Sequence, residues 1–187
     1  MYAGKNPSAL RSMDCLRKSL LRLLREQSYT RITIKDICAG ADLSRQTFYQ
    51  MFDSKDEVME FHFSTLFAEF SSECGDFQCI SVSDLACRFF QFFYRHQDFV
   101  GVLIKNNMTY MLEQQFERYL RRIDLFRAIN EQERYPDYSL SFVSGALTQL
   151  LTHWFQCGFD LSAREAGQLT EQLLKGNVFR AEDAGSA

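Results

Sequence analysis

Proline and glycine are scarce, at two and nine in 187 residues. Long uninterrupted helices are therefore permitted, and collagen-like or low-complexity classes are excluded. The six cysteines, at 15, 38, 74, 79, 87 and 157, form no CxxC pair. That excludes a disulfide scaffold and fits free thiols in a cytoplasmic protein. The opening residues, Met1-Tyr2-Ala3-Gly4-Lys5, lack an apolar signal core, which points to the same location. Strand-like alternation and internal repeats are missing. So are the GxSxG, P-loop, HExxH and Rossmann signatures. The three histidines, 62, 96 and 153, are not at metal-ligand spacing. Tyr94, His96 and Asp98 are close in sequence, but an i, i+2 spacing points them to different sides of a helix. No enzymatic activity, catalytic residue, cofactor or metal is therefore expected.

Charge is also missing between Tyr138 and Phe159. The stretch is long enough to raise the question of a membrane span. Its three serines, two threonines, two glutamines and one histidine argue against that. It reads as a helix buried on most of its sides in a soluble protein.

What is present is ample apolar content, 46%, beside an ordinary charged fraction of 24%. A packed core is expected, as one large domain or a small domain joined to a larger one. The net charge of −3 is unevenly spread. Residues 1–50 carry nine Lys and Arg against four acids, so the rest of the chain is strongly acidic. A basic head on an acidic body implies that the head meets a polyanion.

The periodicity is helical throughout, and the expected fold class is all-α. Ser8 is the expected cap of a first helix reaching about Gln27, with Leu16, Leu20, Leu23 and Leu24 on one face. Arg11, Lys18, Arg22 and Arg25 fall on the opposite face. Short helices are expected from Ile34 to about Gly40 and from Arg45 to about Phe52, capped by Thr33 and Ser44. A longer helix follows Ser54, whose capping box is completed by Glu57. Residues 72–83 read as a linker. Further helices are expected from about Ser83, over Phe99–Ile104, over Met108–Ile129 and over Tyr138–Cys157. A last one starts at Ser162 and stops near Gly176, before a frayed tail from Ala181.

Residues 33–49 carry the chemistry. Two short helices about a tight turn match a helix-turn-helix. Ile34, Ile37, Leu43 and Phe48 supply the apolar set, small Ala41 permits a close crossing, and Asp42 stands where the chain needs a left-handed residue. The second helix then presents Arg45, Gln46, Tyr49 and Gln50. Such a helix lies in the major groove of DNA. Arg45 suits guanine O6 and N7, and Gln46 suits adenine N6 and N7. Thr33, Thr47, Tyr49 and Lys55 suit phosphate oxygens, as do the free amides at the Thr33 and Ser44 helix starts.

Ile34, Ile37, Ala41, Ser44, Thr47, Phe48, Tyr49, Phe52, Lys55 and Glu57 stand at the spacing of one regulator family. The segment resembles the helix-turn-helix of the TetR family of transcriptional regulators. Cys38, Asp42, Leu43, Met51 and Val58-Met59 depart from its usual residues without removing a polar DNA-facing position. The resemblance implies a three-helix helix-turn-helix domain over 1–55. It also implies a helical bundle body over 56–187 that binds a ligand and dimerises. Its implied role is that of a homodimeric regulator, by default a repressor, binding an inverted-repeat operator on double-stranded DNA under a small-molecule effector. Asn6–Ser12 and the run from Gly145 to Glu165 resemble, more loosely, the TetR-like subgroup that includes the activator of dihydroxyacetone kinase operons.

The dimer interface implied is Tyr138–Cys157 with Ser162–Leu174, where Ser141, Ser144, Gly145 and Ala146 allow close approach. A charge at Leu147 is then expected to separate the copies. Candidate effector contacts are the aromatics Phe89, Phe93, Tyr94, Phe116, Tyr119 and Trp154, with His96 and His153 as polar handles. Two alternatives remain. A TetR-like co-activator or adaptor would act through a protein partner. A thiol sensor would use Cys74 and Cys79, although Glu73 and Asp76 are expected to raise the Cys74 pKa and oppose it.

Overall fold

The computed structural model describes residues 6–75, 81–122 and 135–175. All regular structure among them is helical. In chain order the helices are α1 (Pro7–Glu26), α2 (Ile34–Ala41), α3 (Arg45–Met51), α4 (Lys55–Cys74), α5 (Val82–Arg95), α6 (Gln97–Lys105), α7 (Thr109–Leu120), α8 (Pro136–Gln156) and α9 (Ala163–Leu174). A 3-10 turn, Tyr29–Arg31, lies between α1 and α2. The chain divides into two compact units, Met1–Glu69 and Phe70–Ala187.

In the first unit, α1 begins at Pro7, which has no N–H to lose and a preset φ. Asn6 therefore caps it, accepting the Ser8 N–H at 3.0 Å, and Ser8 falls inside the helix. The cap sits two residues earlier than expected. Leu16, Leu20 and Leu24 are fully buried, while Arg11, Lys18, Arg22 and Arg25 are exposed. The leucine face packs on α2 and α3. Ser54 Oγ accepts the Glu57 N–H at 3.3 Å, but the Glu57 carboxylate reaches back to the Asp53 N–H at 2.9 Å. The capping box at Ser54 is thus displaced by one residue. Val58, Met59 and Phe63 on α4 are fully buried.

In the second unit, α5 buries Phe89, Phe90, Phe92 and Phe93. Helix α9 lies so close to α5 that a Cβ on Gly167 would stand 2.6 Å from the Cys87 backbone nitrogen. Leu120 and Leu140 form the centre of the α7–α8 contact, with Tyr119, Val143 and Leu147 packed around them. Leu147 therefore faces its own chain, which makes it a poor place to probe a dimer. Close approach falls at Gly167 and at Gly101, whose Cβ would meet the Phe155 ring at 2.8 Å; Gly145 has only Glu113 within 4 Å.

Helix α8 takes Pro136 as its first residue, two positions before the expected start. Only one stripe of it, Leu140, Ser144, Thr148, Leu151 and Trp154, is buried within the chain. Tyr138 is 78% and Phe142 67% exposed. The expectation of burial on most sides is not met by this chain alone. The helix ends in a Schellman turn. Gly158, at φ 69°, gives its N–H to Phe155 O at 3.0 Å, and Phe159 N–H returns to Trp154 O at 2.9 Å. Among the described residues, no helix is long and apolar enough to cross a membrane.

The expected linker is shorter than 72–83, because α4 runs to Cys74 and Ser81 caps α5. The helix expected over Met108–Ile129 stops at Leu120, where Arg121 caps it by giving its N–H back to Glu117 O; residues 123–129 of that expectation, the Gly176 stop and the tail lie outside the described residues.

Candidate functional site

Helix α2 is held at its start by a reciprocal cap. Thr33 Oγ1 accepts the Asp36 N–H at 3.2 Å, and the Asp36 carboxylate accepts the Thr33 N–H at 2.9 Å. The Thr33 hydroxyl, then its N–H, hold the Asp36 carboxyl below its ordinary value. The helix stops at Asp42, which takes the left-handed conformation, φ 54° and ψ 44°. Leu43 N–H returns to Cys38 O at 3.0 Å, closing the turn. The left-handed position is the one the sequence singled out.

The close crossing with α1 belongs to Gly40, where the sequence pointed to Ala41. A Cβ there would stand 2.3 Å from Ser19 Oγ. Ser19 is buried and donates to Ile37 O at 2.8 Å, which fixes α2 on α1.

Ser44 Oγ accepts the Thr47 N–H at 3.0 Å and starts α3. Phe48, fully buried, anchors that helix. At about 100° per residue, Arg45, Tyr49, Gln46 and Gln50 then spread over the side turned away from Phe48, with Arg45 at its edge, and all four are exposed. Thr33 and Ser44 are exposed and serve as caps, and Thr47 is half-buried with its hydroxyl 2.9 Å from Ser44 Oγ. A helix about 10–12 Å across matches the major groove, about 12 Å wide. A polar, donor-bearing face of this kind is what base edges require.

Lys55 has a role the sequence did not reveal. Its ammonium donates to Tyr29 O at 2.6 Å and Ile32 O at 2.9 Å, and lies 4.3 Å from the centre of the Tyr29 ring. Tyr29 also donates its hydroxyl hydrogen bond to Asp56. Lys55 and Asp56 thus clamp the 3-10 turn to the start of α4. Only a contact between distant positions creates this clamp, so no local pattern announces it.

The candidate ligand residues of the body separate into three groups. Phe89, Phe93 and Phe116 are buried and pack on one another, with ring centres 4.8–5.5 Å apart. Tyr94 and Trp154 line an open groove of about 560 Å³, together with Phe159, Gln91, Arg95 and Ser162. Phe159 sits 4.8 Å from the Trp154 ring and 4.9 Å from Tyr94. Trp154 Nε1 donates to Leu161 O at 2.8 Å, and Arg95 pairs with Glu73. The remaining three are dispersed. Tyr119 shares a 2.6 Å hydrogen bond with Ser71, the His96 ring lies tilted 4.4 Å from Phe92, and His153 is exposed. The sequence missed Phe159 because it lies past the helix stop. The glycine-led turn that folds it back onto Trp154 was the available signal.

Cys74 is buried; burial pushes its thiol pKa up, against the nearby Arg88, while Glu73 adds to the rise. An unreactive thiol follows. Cys79 lies outside the described residues.

Two family descriptions match the sequence. "Bacterial regulatory proteins, tetR family" covers residues 16–60, and "Transcriptional regulator C-terminal region", a TetR C-terminal family, covers residues 81–176. No curated protein matches. Several solved structures share the fold. A TetR transcriptional regulator from Streptococcus agalactiae aligns with a TM-score of 0.67 and 17% identity, over 89% of this chain and 95% of its own. The dihydroxyacetone kinase operon activator DhaS gives 0.56 and 18%, over 90% and 96%. The fatty acid degradation regulator FadR from Bacillus halodurans gives 0.55 and 14%, over 95% and 100%. With the helix-turn-helix in one unit and the matched helical body in the other, the chain belongs to the TetR family of DNA-binding transcriptional regulators.

Proposed function

We propose that the protein is a cytoplasmic, homodimeric repressor that binds an inverted-repeat operator and leaves it when a small-molecule effector binds. The observation that carries the DNA-contact reading is the exposed face of α3, set on a helix anchored by Phe48 and capped by Ser44. In this reading Arg45 and Gln46 contact base edges, with Tyr49 and Gln50 beside them. Thr33, Ser44, Thr47 and Tyr49 bear on phosphates. An ammonium has three N–H groups, so Lys55 keeps one for a phosphate after its two carbonyl bonds. Residues 1–55 are the DNA-contacting domain, and residues 56–187 hold the effector and the dimer contacts.

What supports a second copy is α8. Its outward face carries Tyr138 and Phe142 and no charged side chain from Tyr138 on, and a second copy would cover it. Residues 162–174 are the other half of this interface. The effector is placed at the groove walled by Tyr94 and Trp154, with the Phe89, Phe93 and Phe116 cluster behind that wall. Tyr119, His96 and His153 are secondary candidates. Effector binding shifts the population of head spacings, and so operator affinity. The loose likeness of the Gly145–Glu165 run supports kinship with the subgroup of DhaS, whose fold this chain shares.

Binding of operator DNA measured across a salt series tests the reading. Affinity should fall linearly on logarithmic axes as salt rises. Binding indifferent to both salt and sequence would overturn it. Trp154 is the single tryptophan of the chain, so its emission reports any molecule entering the groove.

A further inference from the structure

Two side chains of metal-ligating type, one on the last turn of α8 and one at its C-cap, stand side by side in hydrogen-bond contact. His153 and Cys157 are four residues apart, both are exposed, and Nε2 lies 3.5 Å from Sγ. One tetrahedral zinc ion has Zn–S of about 2.3 Å and Zn–N of about 2.0–2.1 Å, which sets its sulfur and nitrogen ligands about 3.5 Å apart. The two donors already have that separation. Their backbone is fixed, because Cys157 N–H bonds to His153 O at 2.9 Å and the Schellman turn at Gly158 follows directly. Two ligands do not complete a zinc site, and no three potential ligands gather among the described residues. The missing pair must come from elsewhere.

The surrounding face says where. The outward side of α1 carries charges, such as Lys18, Arg22 and Arg25. The outward side of α8 has none from Tyr138 through Cys157, its last turn included. At about 100° per residue, His153 falls on the same side as Tyr138 and Phe142. A two-fold contact over this face pairs identical surfaces. We infer that His153 and Cys157 form a half-site for a soft divalent cation of the zinc type, completed by the same two residues of a second copy. This rests on the homodimer reading above. On binding, the Cys157 S–H bond breaks, an S–Zn bond forms, and the proton leaves to solvent. His153 donates the lone pair of an unprotonated Nε2.

The test uses the reduced, metal-free full chain. Zn²⁺ is titrated in competition with a chromophoric chelator, Co²⁺ serves as the spectroscopic substitute, and sedimentation is run with and without metal. The expected result is one Zn²⁺ per two chains. Co²⁺ should show the intense ligand-field and thiolate charge-transfer absorption of a four-coordinate site. Cys157→Ser should abolish the thiolate band, and His153→Ala should weaken Zn²⁺ binding by at least about 100-fold, since even outer-shell partners contribute about 10–100-fold. Undiminished binding in Cys157→Ser, one Zn²⁺ per chain, or no uptake by an intact dimer would overturn the site and leave the dimer standing. A chain that stays monomeric with and without Zn²⁺ would overturn both.

Discussion

At the scale of single residues, Asp42 is the one whose cost is easiest to state. It holds a left-handed backbone at φ 54°, where a side chain costs about 1–2 kcal/mol, less for Asp than for most. Glycine removes that strain but adds freedom to the unfolded chain. Asp42→Gly should therefore stabilise the protein by about 0.5 kcal/mol, read as a higher urea midpoint. A lower midpoint would mean that the Asp side chain supports the turn. Arg45 is the residue whose loss should alter what the protein reads. Arg45→Ala should cost about 1–3 kcal/mol in operator binding and relax preference at one base position. Unchanged preference would remove Arg45 from the base contacts. The turn and the four outward residues of α3 were legible because each rests on short-range spacing. The roles of Gly40 and Lys55 were not, because Ser19 and the Tyr29 carbonyl that define them are far away in sequence.

At the scale of elements, caps and close crossings set the stability of the helices. The Thr33–Asp36 and Ser162–Glu165 caps each use a carboxylate held below its ordinary value, by the Thr33 hydroxyl and the Ser162 hydroxyl first. A depressed folded pKa stabilises at pH above the ordinary values, 3.8 for Asp36 and 4.5 for Glu165. That contribution is lost as pH falls through the lower folded values. The amide proton shifts of Thr33 and Ser162 should thus titrate with midpoints below 3.8 and 4.5. Midpoints at or above those values would contradict the caps. The α5–α9 crossing is the tightest place in the second unit. Gly167→Ala puts a methyl group against the Cys87 backbone, which cannot rotate away, so a loss of about 1–3 kcal/mol is expected in thermal unfolding. An unchanged midpoint would show that α9 can lift off without cost. Helix existence was legible from periodicity along most of the described chain. The starts of α1 and α8 were misjudged, since proline at the first helical position carries each helix two residues further back than the first apolar repeat implies.

At the scale of the whole molecule, the charge-free helix is the element on which the proposed homodimer rests. Its lack of charge was plain from the sequence; which side its own chain covers was not, because the packing on α5, α6 and α7 decides it. Leu147 turned inward and Phe142 outward, so Phe142→Glu is the discriminating substitution. It should give monomers in sedimentation with helical content intact, and an intact dimer would move the interface elsewhere. The aromatic content of the body was likewise legible, but its division between core and groove was not. Ring identity does not distinguish a phenylalanine that packs on two others from a tryptophan that borders solvent.

In the proposed function, the α3 face reads DNA sequence as part of a two-fold assembly. Selection of genomic DNA fragments by the purified protein, near physiological salt, tests it most directly. Enrichment of a short inverted repeat is expected, with half-sites about one helical turn apart or a multiple of it. The repeat should lose definition at one position per half-site in Arg45→Ala. A folded dimer that enriches no sequence would contradict it.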